Sequence, residues 1–266
     1  MVTNEHMLKS AFFIGIKNQD DSFTPKGTGF FVTHSYDSTN FIYLVTAAHV
    51  VCNIHNISKK PIYIRVNRKD ADAELIEVDY SHWRFHQGLK TCATDVAVAA
   101  ADTLLPKVEI LAIGTTLFLT DKKIKEHKVG VGDDVLLVGL FRNHYGHKDN
   151  MPIVRTGNIA AFPIEPLKTQ KLGKIEGYLV ETRSIGGLSG CPVLHLKNNK
   201  TTESAYHLLG LMHGHFEIEN AVEDVVIEDA AEGKTAINTG IGIVIPAKRI
   251  LEVIEDFITE RRTKVV

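Results

Sequence analysis

The sequence predicts an all-β protein, two six-stranded antiparallel β-barrels in tandem with a C-terminal α-helix. Three observations lead there. Short runs rich in aromatic and β-branched residues alternate with turn signals along most of the chain. They fall into two sets of about six, separated by a charged connection, and the chain ends in a single amphipathic stretch.

The first set comprises residues 11–16, 29–32, 41–45, 62–66 and 96–99. Residues 102–128 form the connection, with strand-like pieces at 109–113 and 116–119 and a charged patch at 121–126. The second set comprises 134–140, 153–162, 177–181, 192–196, 206–212 and 240–245. Pro246 then opens a helix. Ile250, Leu251, Val253, Ile254, Phe257 and Ile258 share one apolar face, while Glu255, Glu260, Arg261 and Arg262 stay wet, so the helix is expected to dock on the second barrel. The expected domains are 1–112, 113–246, and a helix and tail at 247–266, with a cleft between the barrels.

A chain of 266 residues, 44% hydrophobic, is long enough to bury a sizeable core. Its formal net charge of −2 gives no electrostatic footprint for nucleic acid, and no basic run marks a membrane surface. The first apolar run, 11–16, is too short for a signal or spanning segment. Cys52, Cys92 and Cys191 are an odd number without framework spacing, which argues against a disulfide-stapled secreted protein. The expected location is the cytoplasm, and no cofactor is implied.

The chemistry concentrates at Gly186-Gly187-Leu188-Ser189-Gly190-Cys191. Glycines on both sides let the chain turn sharply and present N–H groups beside the Ser189 hydroxyl. Serine is a weak nucleophile until a base takes its proton and donors stabilise the oxyanion. Among 13 histidines, His49 ends the strand-like Tyr43-Leu44-Val45-Thr46 through two alanines, which leave an imidazole room to face outwards. Asp95 stands at the lip of the apolar run 96–99, where a carboxylate is costly unless paired. Beside an imidazole it has its partner. Taken singly, His49 also reads as a core histidine and Asp95 as a strand cap. Cys191, two residues past the glycine-bracketed position, reads as a small buried side chain.

These segments, with Gly27-Thr28-Gly29-Phe30 ahead of them, resemble the signatures of the chymotrypsin-like (trypsin-type) serine peptidases, and the resemblance spans nearly the whole chain. Order and separation agree as well: 46 positions from 49 to 95, and 94 from 95 to 189. The resemblance implies paired perpendicular barrels and a serine endopeptidase working through an acyl-enzyme. Ser189 is then the nucleophile, His49 the general base and Asp95 the orienting acid, with the N–H groups of Gly187 and Ser189 as the oxyanion hole. Within the family the chain looks most like the bacterial intracellular trypsin-like peptidases, some of which work beside partner proteins. Leu188 departs from cleavage-activated members, which carry an acidic residue there to pair with a new N-terminus. That implies an enzyme competent as synthesised, or one gated by a partner protein rather than by trimming.

In this fold, substrate choice is set just before the serine and along the following strand. Arg183 falls where a pocket floor would lie, and His213 on that strand is the second candidate for substrate binding. By period two, His213 and His215 share one face, opposite to that of the histidine of glutamate-selective relatives. Residues 217–234 carry seven acidic residues against one lysine, a solvated loop or a groove wall for basic peptides. The pairs His82/His86, His144/His147 and His213/His215 have ligand-like spacing but lack a cysteine pair or a glutamate-bearing zinc helix, so no metal is assigned. The expected partner is a protein or peptide substrate. The rival reading is a catalytically silent module of the same fold used for binding.

Overall fold

The computed structural model describes residues 4–69, 71–90, 93–101, 110–169, 173–182, 186–197, 206–219 and 236–264. After a short helix, α1 (Asn4–Lys9), the first half contributes β1 (Ala11–Lys17), β2 (Phe23–Tyr36), β3 (Thr39–Thr46), β4 (Tyr63–Val66), β5 (Glu74–Glu77), β6 (Trp83–Phe85), β7 (Ala97–Ala100) and β8 (Ile113–Gly114). A short helix, α2 (Ala48–Cys52), follows β3. The β2–β3 hairpin turns on Asp37 and Ser38 alone, both left-handed at φ 48° and 61°, the backbone twist that a two-residue hairpin loop demands.

These strands do not close into the expected six-stranded barrel. They form an eight-stranded open sheet in the order β5-β4-β1-β2-β3-β7-β6, with β8 pairing in parallel on β2. The end strands explain the opening. β6 is three residues long, and β5 presents exposed Glu74 and Glu77 at its ends, so neither builds a further ladder. Nor do residues 116–119 add a strand: Thr115–Leu117 is a single 3₁₀ turn, after which the Leu119 N–H bonds to the Leu208 carbonyl at 2.9 Å and carries the chain to the second half.

There, after α3 (Asp121–Glu126), come β9 (Asp134–Gly139), β10 (Ile153–Ala161), β11 (Leu167–Thr169), β12 (Gly173–Ile175), β13 (Tyr178–Thr182), β14 (Pro192–Leu196), β15 (Tyr206–Glu219) and β16 (Ala236–Pro246). Six of them close an antiparallel barrel in the order β10-β13-β16-β15-β14-β9, and these are the six runs expected from the sequence. Its interior holds Val135, Leu137, Val180, Val193, Leu209 and Val244, all buried.

The last helix, α4 (Ala247–Lys264), buries Ile250, Val253, Ile254, Phe257 and Ile258 as its apolar spacing dictates. It is not confined to the second barrel, however. The Phe257 ring packs 5.6 Å from that of Tyr43 on β3, Glu260 pairs with Arg84 on β6, and Glu252 accepts from His86 at 2.6 Å. On the barrel side, Arg249 pairs with Glu176 at 2.8 Å. The helix therefore straps the open edge of the first sheet to the closed barrel, because its polar flanks find complementary charge on both.

Candidate active site

Strand pairing and the turn into α2 together bring His49 and Asp95 into contact. β3 and β7 run antiparallel with Thr46 opposite Ala97, so the chain leaving β3 and the chain entering β7 lie side by side, with His49 three residues past the one end and Asp95 two residues before the other. α2 begins at once, with Ala47 and Ala48 fully buried, and the small side chains let the turn approach β7 closely. Asp95, only 1% exposed, grips His49 twice. Its Oδ1 accepts the His49 backbone N–H at 2.7 Å, and its Oδ2 accepts Nδ1–H at 2.6 Å. An ionised carboxylate only accepts, so this pairing fixes the proton on Nδ1 and leaves Nε2 with its lone pair.

The electrostatics follow from that grip. Burial opposes a proton on His49, but the charge and hydrogen bond of Asp95 outweigh it and hold the imidazole above its ordinary pKa. Burial likewise opposes charge on Asp95, yet His49 and a hydrogen bond from His213 hold that carboxyl well below the usual range.

His213 is the contact that sequence reading missed. Its Nδ1 lies 2.5 Å from Asp95 Oδ2, the oxygen that His49 also uses, and its ring meets the His49 ring edge-on with centroids 5.2 Å apart. β15 slips register against β16 between Met212 and Gly214, and again between His215 and Glu217. A bulge re-aims the side chain it carries, so the period-two alternation that grouped His213 with His215 is interrupted. His49, Asp95 and His213 thus present two imidazoles and a carboxylate with ligand atoms all within 4.8 Å of one another, a donor set fit for a cation in principle. In the arrangement described, both Nδ1 atoms are committed to the carboxylate.

The serine loop is held by its backbone. The Ser189 carbonyl accepts the Thr28 N–H at 2.9 Å, and the Gly190 N–H donates to the Met212 carbonyl at 2.7 Å. Gly190 has φ 83°, and a Cβ there would fall 2.3 Å from both the Thr28 carbonyl and Thr46 Oγ1 and 2.8 Å from the Ala47 nitrogen. Only glycine lets the loop lie this close to the chain leading into His49. Gly187 is also left-handed, at φ 107°, and its carbonyl is tied back by the Thr28 hydroxyl at 2.8 Å. Thr28 Oγ1 in turn accepts the Leu140 N–H at 2.9 Å. Leu188 is fully buried in the barrel core, which anchors the loop without an ion pair. Across Gly186 lies Arg142, its Nη1 3.3 Å from where a Cβ would stand, a cation at the loop that composition did not flag.

The remaining sequence candidates fall elsewhere. Arg183 and most of residues 217–234 lie outside the described residues, as does Cys92. Cys191 is fully buried and burial pushes its thiol far up, so it is inert at neutral pH. His86, one of the spaced pairs, is engaged by Glu252.

No protein-family model and no curated protein matches the chain. Among solved structures it resembles the MamO protease domain from Magnetospirillum magneticum, with a TM-score of 0.53 and 16% identity over 94% of this chain and 98% of that one. It also resembles Deg5, with a TM-score of 0.52 and 13% identity over 93% of this chain and 88% of that one. At such identities the likeness carries the fold alone, and that fold is the chymotrypsin-like serine peptidase fold expected from the sequence.

Proposed function

We propose that the chain is a serine endopeptidase that cleaves peptide bonds through an acyl-enzyme. The observation that carries this reading is the double grip of Asp95 on His49, which fixes one tautomer and leaves Nε2 free to act as base. The Ser189 hydroxyl attacks the scissile carbonyl as its proton passes to His49 Nε2. Asp95 stabilises the imidazolium, and the N–H groups of Gly187 and Ser189 receive the oxyanion, each worth about 3 kcal/mol in the transition state. The imidazolium then protonates the leaving amine, and water, activated by the same nitrogen, releases the acyl group.

Two further features support it. The left-handed backbone at Gly187 and Gly190 is what a loop presenting N–H groups requires, and Gly190 seats Ser189 against the segment leading into His49. Buried Leu188 fills the position that an activating ion pair would need, in keeping with an enzyme competent as synthesised. The substrate is a protein or peptide. Among the described residues no helix is long and apolar enough to cross a membrane, and a cytoplasmic site of action remains part of the proposal. The test is labelling by a fluorophosphonate probe with Ser189→Ala as control. Covalent labelling of the native chain alone supports the proposal, and an unlabelled native chain supports the silent binding module instead.

A further inference from the structure

We infer that Arg142 is a specificity-determining residue of this site, its guanidinium receiving a carboxylate of the peptide substrate beside the scissile bond. The inference rests on the serine peptidase reading and names the substrate class which that reading leaves open, a peptide with an acidic residue flanking the bond that is cut. The Gly186–Gly187 peptide group carries the N–H proposed to receive the oxyanion, and Arg142 lies along both of its residues. At Gly186 a Cβ would meet Nη1, Cζ and Nε of Arg142 at 3.3, 3.4 and 3.6 Å, and at Gly187 it would meet Arg142 Cγ and Leu140 Cγ at 3.2 Å. Gly187 is left-handed and favours glycine for that reason, but Gly186 is not, so backbone conformation does not call for glycine there. What Gly186 provides is a bare face on which the guanidinium rests. Arg142 is exposed and, among the described residues, enters no ion pair. A cation therefore stands beside the oxyanion donor with its charge unanswered.

An exposed side chain selects substrate well only when it is held in place, and the segment that carries Arg142 is fastened along its length. Residues 140–152 link β9 to β10 and are tied to the first sheet at both ends and in the middle. The Leu140 N–H bonds to Thr28 Oγ1 at 2.9 Å, and the Tyr145 hydroxyl donates to the Phe23 carbonyl at 3.1 Å while its ring meets that of Phe23 edge-on. At the far end, buried Arg65 on β4 donates to Asn150 Oδ1 and to the His147 carbonyl, each at 2.7 Å. Asn150 returns a side-chain N–H to the Arg65 carbonyl at 2.7 Å and gives its backbone N–H to Asn67 Oδ1 at the same distance. Because Thr28 Oγ1 also donates to the Gly187 carbonyl, one hydroxyl pins the segment bearing the cation to the loop bearing the oxyanion donors. A guanidinium on so fixed a base offers a carboxylate two parallel N–H donors at a smaller entropic cost than a free one.

The test uses the full chain and its Arg142→Gln, Arg142→Glu and Arg142→Lys variants, each shown folded by circular dichroism. The substrates are matched peptides that differ only in carrying glutamate, glutamine or lysine at a single position on either side of the scissile bond, and the readout is kcat/KM for each. The native chain is expected to favour glutamate over glutamine at one such position by about ten- to a hundredfold, as a charge-assisted hydrogen-bonded pair provides. Arg142→Gln is expected to erase that preference, Arg142→Glu to turn it towards lysine, and Arg142→Lys to keep part of it, since an ammonium lacks the planar fork. A native chain without the preference, a preference that survives charge reversal, or a fall in kcat/KM equal for all peptides would overturn the inference. If the native chain is neither labelled by a fluorophosphonate nor cleaves any peptide, the peptidase reading fails. Binding of the same peptides to the folded Ser189→Ala chain, followed by fluorescence anisotropy, then still decides the role of Arg142. Tighter binding of the glutamate peptides that Arg142→Glu abolishes supports it, and equal binding of all the peptides overturns it.

Discussion

Thr28 donates its backbone N–H to the carbonyl oxygen of Ser189 at 2.9 Å, joining a strand of the first sheet to the loop of the proposed nucleophile. The same fully buried residue donates its hydroxyl to the Gly187 carbonyl and accepts the Leu140 N–H, so its side chain ties both flanks of the seam. Thr28→Val keeps shape and volume but leaves those two groups unpaired, at about 1–3 kcal/mol for each buried group. The expected outcome is a lower melting temperature and slower probe labelling. Native values for both would show that the hydroxyl does not hold the loop.

Asp95→Asn is expected to preserve the fold and lower turnover by about 10⁴-fold at neutral pH. An amide still accepts the His49 backbone N–H, but it no longer requires the proton on Nδ1 and cannot stabilise the imidazolium. That factor is the one serine peptidase triads show for this substitution, and steady-state kinetics on a peptide substrate would check it. A loss under tenfold would remove Asp95 from the mechanism.

The pH dependence has a definite sign. His49 acts as base only when neutral, and Asp95 holds its pKa above the ordinary 6.5 in spite of burial. Activity is therefore expected to rise with pH through a midpoint above 6.5 and to be lost below it. Protons taken up by the coupled pair of His49 and Asp95 would be read together in that midpoint. A kcat/KM profile already flat at pH 6 would contradict this assignment.

A second histidine group lies away from the site and bears on stability. His207 and His195 pair across β14 and β15, both buried, with His127 4.4 Å from His207 ring to ring. Burial, reinforced by Lys197 and the neighbouring histidines, depresses His207 to about 3, and burial also lowers His195 despite its bond to Asp133. The unfolded chain, with histidines near the ordinary 6.5, then takes up protons that the folded chain refuses. Stability is full above about 6.5 and falls as pH drops from there towards 3, at about 1.4 kcal/mol per unit of pKa difference. His207→Leu is expected to flatten the melting temperature between pH 6.5 and 4, and an unchanged slope would rule out His207 as the cause.

The sequence made the closed barrel legible because each of its six strands is long and apolar enough to announce itself. The open sheet was hidden for a matching reason. Glu74 and Glu77 give β5 a polar signature, and Trp83–Phe85 is too short to show a period. The meeting of His49 with Asp95 was readable, because each stands just beyond the end of a strand and a carboxylate there needs a partner. The contact of His213 was not, since it depends on a bulge that alternation cannot reveal. The strap made by α4 was half legible: its apolar face was plain, but the charges that bind Glu252 and Glu260 to the first sheet lie over 160 residues away in the chain.

The central claim is that Ser189 is a nucleophile activated by His49. Its most direct measurement is the site of covalent attachment after treatment of the native chain with a fluorophosphonate, located by peptide mass mapping. The expected result is a single adduct on Ser189, absent from Ser189→Ala and slowed in His49→Ala, with turnover in Ser189→Ala down by a factor on the order of 10⁶. Failure of the folded native chain to react, or an equal reaction in Ser189→Ala, would contradict it.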